Sequence, residues 1–363
     1  MSEETQILVL GAYGLAGRAI VRRLLEKTTY SVIAGGRNEA KLRLLKGERV
    51  TTCLLDVDDT SAVTSACEKA SFVINAVGPF AKNGFNVAKT VLETGKPYLD
   101  CANEQRHYQN LIKLDELAQK RNLPLVTGAG VFPGLSTLLV AHMLERYPDT
   151  IEVDCCCVQF RHAYMDSGLA SVMGAILEAV EQPVSVKQGM LVPTRLGKSV
   201  RIFDLPPPFG QRLLLEVPLI DAFTLRKLFP VREYHTWFYV GDLPVWLLKL
   251  FRILQPQHRP RVYRLVESIV RRINNRETAK AISAGVSPEC MIYVRVVIGD
   301  QIEERFVTFY DGAIATACLP VYIADGYIRG NITKTGLLTP LDIITTDRLK
   351  EIVDGAITSM KLG

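Results

Sequence analysis

Three glycines pose the first chemical question. In Gly11-Ala12-Tyr13-Gly14-Leu15-Ala16-Gly17-Arg18 they recur at every third position, directly after the apolar run Ile7–Leu10 and at the head of a helical pattern, Leu15–Lys27. Gly11 permits a tight turn, Gly14 lets main chain approach a ligand, and Gly17 lets a helix pack closely on a strand. Amides at the start of such a helix attract an anion, so residues 11–17 are a candidate cradle for the pyrophosphate of a dinucleotide. An ordinary tight strand-to-helix turn would use the same glycines.

The end of the second apolar run decides which dinucleotide is expected. A site for NAD usually places an acid there, against the ribose hydroxyls. This chain reads Ala34-Gly35-Gly36-Arg37-Asn38, with Lys41 one turn later. The Arg37 guanidinium can pair with a 2′-phosphate and stack on adenine, so NADP is the expected cofactor, with Arg37 and Asn38 at the phosphate. Asp56, after the third run, either contacts adenine or caps the next helix. The fourth run ends Asn75-Ala76-Val77-Gly78-Pro79-Phe80, whose small residues leave room for the nicotinamide ribose while Pro79 stiffens the exit.

Ligands of open α/β sheets lie outside the carboxyl ends of the strands, which selects the loops 78–84, 100–106 and 128–134. Reduction of a polarised double bond needs a proton donor opposite the atom that receives hydride. Cys101 and Glu104 are the candidate pocket groups, with Asp100 orienting them. Glu104 has an alternative place in the first turn of a helix, where the dipole favours an acid. His107 and Tyr108 are further available donors; otherwise His107 is a surface residue and Tyr108 part of a packed helical face. The loop Gly130–Gly134 either offers amides to an anionic substrate group or only joins two domains. No Cys or His spacing fits a metal, and Cys155-Cys156-Cys157 falls in an expected strand, where its thiols alternate between faces.

The elements that must position these groups alternate. Ile7–Leu10, Ser31–Ala34, Val50–Leu55, Phe72–Val77, Pro97–Cys101 and Leu123–Thr127 are each followed by a helical pattern, such as the Leu111, Leu114 and Ala118 face. Six such units predict an α/β chain with an N-terminal doubly wound parallel Rossmann sheet. Beyond residue 150, longer runs such as Ile151–Phe160 and Met291–Ile298 predict a second, mixed α/β domain containing an antiparallel sheet. The expected division is 1–130, with a helical tail 336–363 packing back on it, and a substrate-binding and dimerisation domain 131–335.

Composition narrows the classes. The 363 residues are 48% hydrophobic, enough for a large core, and a formal charge of +5 is too mild to imply nucleic acid. Met1–Gln6 is polar and acidic, so the eight cysteines are expected as reduced thiols of a cytoplasmic protein. Asn122–Leu144 carries no Asp, Glu, Lys or Arg, but its prolines and glycines predict a buried strand, a turn and a buried helix instead of a membrane span. Between Arg226 and Arg276, eleven Lys or Arg stand against three acids, and the stretch includes the apolar Leu243–Leu254 with Trp246. Residues 243–272 are either a peripheral membrane contact or a core or dimer helix followed by a solvated basic one. A small-molecule substrate and a homodimer complete the expected partners.

Together, GAYGLAGR, AGGRN, LLDVDD, NAVGPF, TGKPYLDCANE and GVFPGLS resemble the NADP-binding domain of saccharopine dehydrogenase-like oxidoreductases. That group includes saccharopine reductases, carboxynorspermidine dehydrogenases and trans-acting enoyl reductases. The resemblance runs over about residues 5–145 and returns at Gly336-Leu337-Leu338-Thr339-Pro340. It implies hydride transfer with a nicotinamide cofactor and a second domain that covers the nicotinamide. Phe132-Pro133-Gly134 stands where the saccharopine-reducing branch tends to carry Asp-Pro-Gly, and Cys101-Ala102-Asn103-Glu104 lacks that branch's tyrosine. These departures count against an amino-acid-derived imine. The expectation is an NADP-dependent oxidoreductase acting on a C=N, C=O or C=C substrate, lipid-like ones included; the alternative is a catalytically inactive nucleotide-binding protein with a regulatory or membrane-associated role.

Overall fold

Strands β1 (Gln6–Leu10), β2 (Ser31–Gly36), β3 (Val50–Leu54), β4 (Phe72–Asn75), β5 (Tyr98–Asp100) and β6 (Pro124–Val126) form a parallel sheet in the computed structural model. The structure describes residues 5–159, 183–194, 199–239 and 289–362, with single positions at 268, 272 and 283. A seventh parallel strand, Gly336–Leu338, joins beside β6, and the order is 336–338, β6, β5, β4, β1, β2, β3. The order reverses between β1 and β4, the switch point where doubly wound sheets bind ligands. These strands read as short continuous apolar runs because both faces are covered: β2 is buried at every residue, and Ile7 to Leu10 of β1 are fully inaccessible.

The helices bury one stripe each. In α1 (Leu15–Lys27) the buried positions Gly17, Ile20, Val21 and Leu24 recur at helical spacing, and in α4 (Phe80–Glu93) Gly84, Val87, Ala88 and Val91 do the same. Between them lie α2 (Glu39–Arg43) and α3 (Thr60–Cys67), followed by α5 (Gln105–Leu111) and α6 (Asp115–Lys120). The charge-free stretch after Asn122 becomes β6 and the buried helix α7 (Leu135–Arg146). Among the described residues, no helix is long and apolar enough to cross a membrane.

A second sheet is mixed. It contains β7 (Glu152–Gln159), β8 (Val184–Lys187), β9 (Met190–Pro193), β10 (Val200–Leu205), β11 (Gly210–Glu216), β12 (Glu233–Phe238), β13 (Cys290–Ile298) and β14 (Gln301–Phe309). The β7–β12 pair is parallel, whereas β13 runs antiparallel to both β7 and β14. Cys155, Cys156 and Cys157 are buried free thiols in β7, and Cys156 packs in a cluster with Trp237, Met291 and Tyr293. The stretch 243–272 lies outside the described residues, apart from the exposed positions Ser268 and Arg272.

The chain divides into one unit of Met1–Leu135 with Ala313–Asp354 and another of Ser136–Gly312 with Gly355–Gly363. The division read from the sequence returned 336–363 as one helical piece. In the structure the return begins with the helix Gly312–Ile328, where Tyr327 meets Phe72 edge-on at 5.5 Å and Asp325 accepts the Tyr30 hydroxyl at 2.9 Å. Leu349, Ile352 and Val353 are buried as their spacing implies, and Arg23 donates to the carbonyls of Ile352 and Asp354 at 2.8 and 3.2 Å. Gly355 then turns at φ +71°, and Ile357–Lys361 leaves as a strand antiparallel to β14. Ile357 is therefore a strand residue, because the glycine ends the helical pattern that seemed to include it.

Asp221 opens the helix Asp221–Leu228 with a buried carboxyl group. One oxygen accepts the Tyr234 hydroxyl; the other has no hydrogen-bond partner among the described residues. Burial pushes its pKa up to about 6, against the pull of the Tyr234 hydroxyl and backbone amides. The folded state therefore holds this proton more tightly than the unfolded chain. The stability it contributes is complete below about pH 4 and is lost as pH rises through about 6. Asp221→Asn, which still accepts from Tyr234, should lack this loss, so its advantage over the parent in urea unfolding should grow by up to about 3 kcal/mol between pH 4 and pH 7. A constant difference across that range would show that Asp221 is not the titrating group.

Candidate functional site

The glycine turn is built from main chain. Gly11 sits at φ +75°, and its amide and that of Ala12 donate to the Gly35 carbonyl at 2.9 and 3.1 Å, while the Gly14 amide closes onto Gly11 O at 2.9 Å. Gly17 lies so close to Gly11 that any Cβ there would strike the Gly11 carbonyl oxygen. A Cβ on Gly11 would meet Val77 at 2.9 Å, which places the turn against the end of β4, at the switch point. Tyr13, Leu15 and Ala16 are partly buried around it and Ala12 is buried. Gly14 gives α1 no side-chain cap, and no acid occupies its first turn, so the chain leaves the positive end of that helix uncompensated. These residues fit a pyrophosphate: a turn whose main chain is packed too tightly for a Cβ at Gly11 or Gly17 opens a 13-residue helix that has no side-chain cap.

Arg37 is exposed immediately after β2, and Asn38 caps α2, accepting the Lys41 amide at 3.0 Å. Asp56 is exposed and accepts the Asp58 amide at 3.1 Å; the acid that caps α3 is Asp59, which takes the amides of Ser61 and Ala62. Of the two roles left open for Asp56, helix capping thus belongs to another residue. Asn75 is buried, donating to the Tyr98 hydroxyl at 2.9 Å and accepting the Val77 amide at 3.0 Å, so it shapes the loop 75–77. Ala76, Val77, Gly78 and Pro79 remain partly accessible, and Phe80 turns inward.

The candidate catalytic residues divide into two kinds. Asp100 is fully buried: one oxygen faces His107 Nε2 at 2.7 Å, and the other accepts the Thr127 hydroxyl at 2.7 Å and the Ala102 amide at 3.1 Å. Burial alone would raise its pKa, but His107 and these donors hold it below the ordinary carboxylate value. Glu104 is buried as well, at the cap of α5. Its two oxygens accept the amides of Phe80, at 2.9 Å, and Asn103, at 3.0 Å. Burial raises its pKa, opposed by His107 and those amides. Both carboxylates therefore brace loops. Cys101 is partly buried, and burial and the Asp100 charge push its thiol up, so it holds its proton.

His107 and Thr127 complete this network: of the two places open to His107, a donor in the loop or the surface, the surface is excluded by its burial, and Thr127 is a further member. His107 is fully buried beneath α4, its ring against Gly84, where a Cβ would collide with it, and 5.7 Å from the Phe80 ring. One signal for Thr127 existed: Leu99 pairs with Val126, so a polar residue ending β6 lies beside the one ending β5. In the loop 128–134 the Ala129 amide donates to Asp100 O and the Gly130 amide to Pro133 O, and Leu135 just beyond donates to Gly130 O, so these amides are already engaged.

Comparison with known proteins agrees with this geometry. Residues 7–126 match the family model of the saccharopine dehydrogenase NADP binding domain. Saccharopine dehydrogenase (L-Glu forming) from Saccharomyces cerevisiae shares the fold with a TM-score of 0.64, at 14% identity, over 98% of this chain and 99% of that one. A lipid droplet localized protein from Caenorhabditis elegans is 27% identical over 138 residues, which cover 34% of this chain and 32% of that relative. Residues 7–126 are thus similar to an NADP-binding domain, and the chain shares the fold of saccharopine dehydrogenase.

Glu104 separates bracing from proton donation. Glu104→Ala leaves the Phe80 amide buried without its acceptor and should lower stability by about 2–3 kcal/mol in denaturant unfolding, with Glu104→Gln recovering much of the loss through its carbonyl. Equal stability of all three proteins would remove the bracing role.

Proposed function

We propose that the chain is an NADP-dependent oxidoreductase of the saccharopine dehydrogenase-like type, whose substrate carries a C=N, C=O or C=C bond; the match of residues 7–126 to the saccharopine dehydrogenase NADP binding domain and the shared fold support it. One observation carries the reading: a glycine turn at the switch point, packed too tightly for a Cβ at Gly11 or Gly17, opens a helix without a side-chain cap, and the position where an NAD site would place an acid holds an exposed arginine. NADPH, held by residues 11–17 and Arg37, would supply hydride chemistry, and reduction would also require a proton at the other atom of the bond. Cys101 is the candidate for holding that proton, although burial and the Asp100 charge make its thiol reluctant to release it, while Asp100, Glu104 and Asn75 fix the loops around it. The phosphate end is the role of Gly11, Gly14, Gly17 and Arg37.

A specific observation also favours a second reading. Two of the three candidate catalytic groups are committed to main-chain amides, which suits a nucleotide-binding protein without turnover, acting as a regulatory or membrane-associated partner. Incubating the protein with NADPH and representative ketones, imines and enoyl esters separates the two. Oxidation of NADPH on any of these supports the enzyme, and tight NADPH binding with no oxidation on all of them supports the alternative.

The name of the nematode relative places that protein on lipid droplets. For this chain it supports contact with a lipid surface, which the reading assigns to the basic, apolar residues 243–272, and a lipid-like substrate drawn from that surface; the same reading takes the protein as cytoplasmic and homodimeric. The protein should then float with vesicles containing anionic lipid at low salt and be released as salt is raised. Absence of flotation at low salt would remove the membrane contact and leave the oxidoreductase reading intact.

A further inference from the structure

We infer that Lys41, steadied by the ring of Tyr13, is a second cation for the 2′-phosphate of NADP, so that selectivity between the two coenzymes is shared between Arg37 and Lys41. The inference rests on the reading of residues 11–17 and Arg37 as the cofactor site. Lys41 belongs to the same closed turn as Arg37, because Asn38 ties its own side chain to the Lys41 amide at 3.0 Å. The hydrogen bond holds the Lys41 backbone close to the end of β2, within reach of the same phosphate for its side chain. Tyr13, from the glycine turn, reaches across to this point: its ring lies over Gly36, where a Cβ would stand 2.5 Å from Cε1. The Lys41 ammonium rests 5.8 Å from the centroid of that ring. An ammonium held over an aromatic face is positioned at little cost in side-chain freedom.

The charges around this turn leave both cations available. Glu39 is turned to Arg43, with which it pairs at 2.7 Å, and Asp58 is 4.0 Å from Lys82. Among the described residues, no carboxylate lies within ion-pair distance of Arg37 or Lys41. Both side chains are exposed, so neither cation is needed to stabilise the core. A phosphate monoester carries close to two negative charges near neutral pH and offers three acceptor oxygens, which suits two donors of different shape, a planar guanidinium and a point ammonium. Gly36 is part of the device, since any larger residue there would displace the tyrosine that steadies Lys41.

The test is calorimetric titration of the full-length protein with NADPH, NADH and 2′,5′-ADP. Lys41→Gln should weaken NADPH and 2′,5′-ADP by about tenfold while NADH changes by less than about twofold, the loss of one charge-assisted contact at an exposed site. Lys41→Glu should weaken the two phosphate-bearing ligands further, and Arg37→Asp should serve as the reference loss. Unchanged NADPH affinity in Lys41→Gln, or an equal loss for NADPH and NADH, would overturn the assignment. Should the parent bind both coenzymes equally, the NADP reading itself fails. Should the parent prefer NADPH and only Arg37→Asp abolish that preference, Lys41 alone is dismissed.

Discussion

Main chain meets main chain where β1 hands over to α1, and no side chain fits between them. Gly17 rests on the carbonyl of Gly11, and Gly11 in turn lies against Val77 at the end of β4. This contact fixes the angle at which α1 leaves the sheet, and the sheet reverses direction at the same place. From there the other features follow in order. The first helix points an uncapped end at the turn, its far half presents Arg23 to the carbonyls of Ile352 and Asp354, and the returning segment is locked to the first unit. A phosphate site and the anchoring of the tail thus hang on one helix whose placement is decided by three residues without side chains.

A second constraint operates at the carboxyl ends of β4, β5 and β6. Asn75 is the register partner of Asp100, and Thr127 lies beside it, so a buried polar row crosses three adjacent strands. Buried charge is costly unless paired and hydrogen-bonded. Asp100 meets that demand through His107, Thr127 and a backbone amide, and Glu104 does so through two backbone amides. The consequence for chemistry is that the carboxylates nearest the proposed reaction are held in place by their hydrogen bonds, and the surrounding loops take their form from them.

Local pattern made much of this legible. The glycine turn, the basic residue after β2 and the six strand-helix units depend on neighbours within a few positions, and each could be read as a motif. The buried histidine could not, because its environment is made by Gly84 of another helix and Asp100 of a strand. Nothing near His107 in sequence distinguishes it from a surface residue. The strand Gly336–Leu338 was equally hidden: three residues show no periodicity, and its place in the sheet is set by Asp115, which accepts the Leu337 amide at 2.7 Å. The helical reading of the tail failed at Gly355 for the converse reason, since apolar spacing continued past a residue whose backbone had already turned.

The discontinuity of the first unit bears on how the protein is made. The outermost strand of its parallel sheet comes from residues 336–338, so while the ribosome is still adding the second unit, β6 presents a bare row of amides and carbonyls along its outer side. Such an edge invites association with other chains. The nucleotide-binding half is synthesised first and sealed last, and the nascent polypeptide spends most of its elongation with that seam open, a window in which a chaperone's shelter would matter more than for a domain encoded in one uninterrupted stretch.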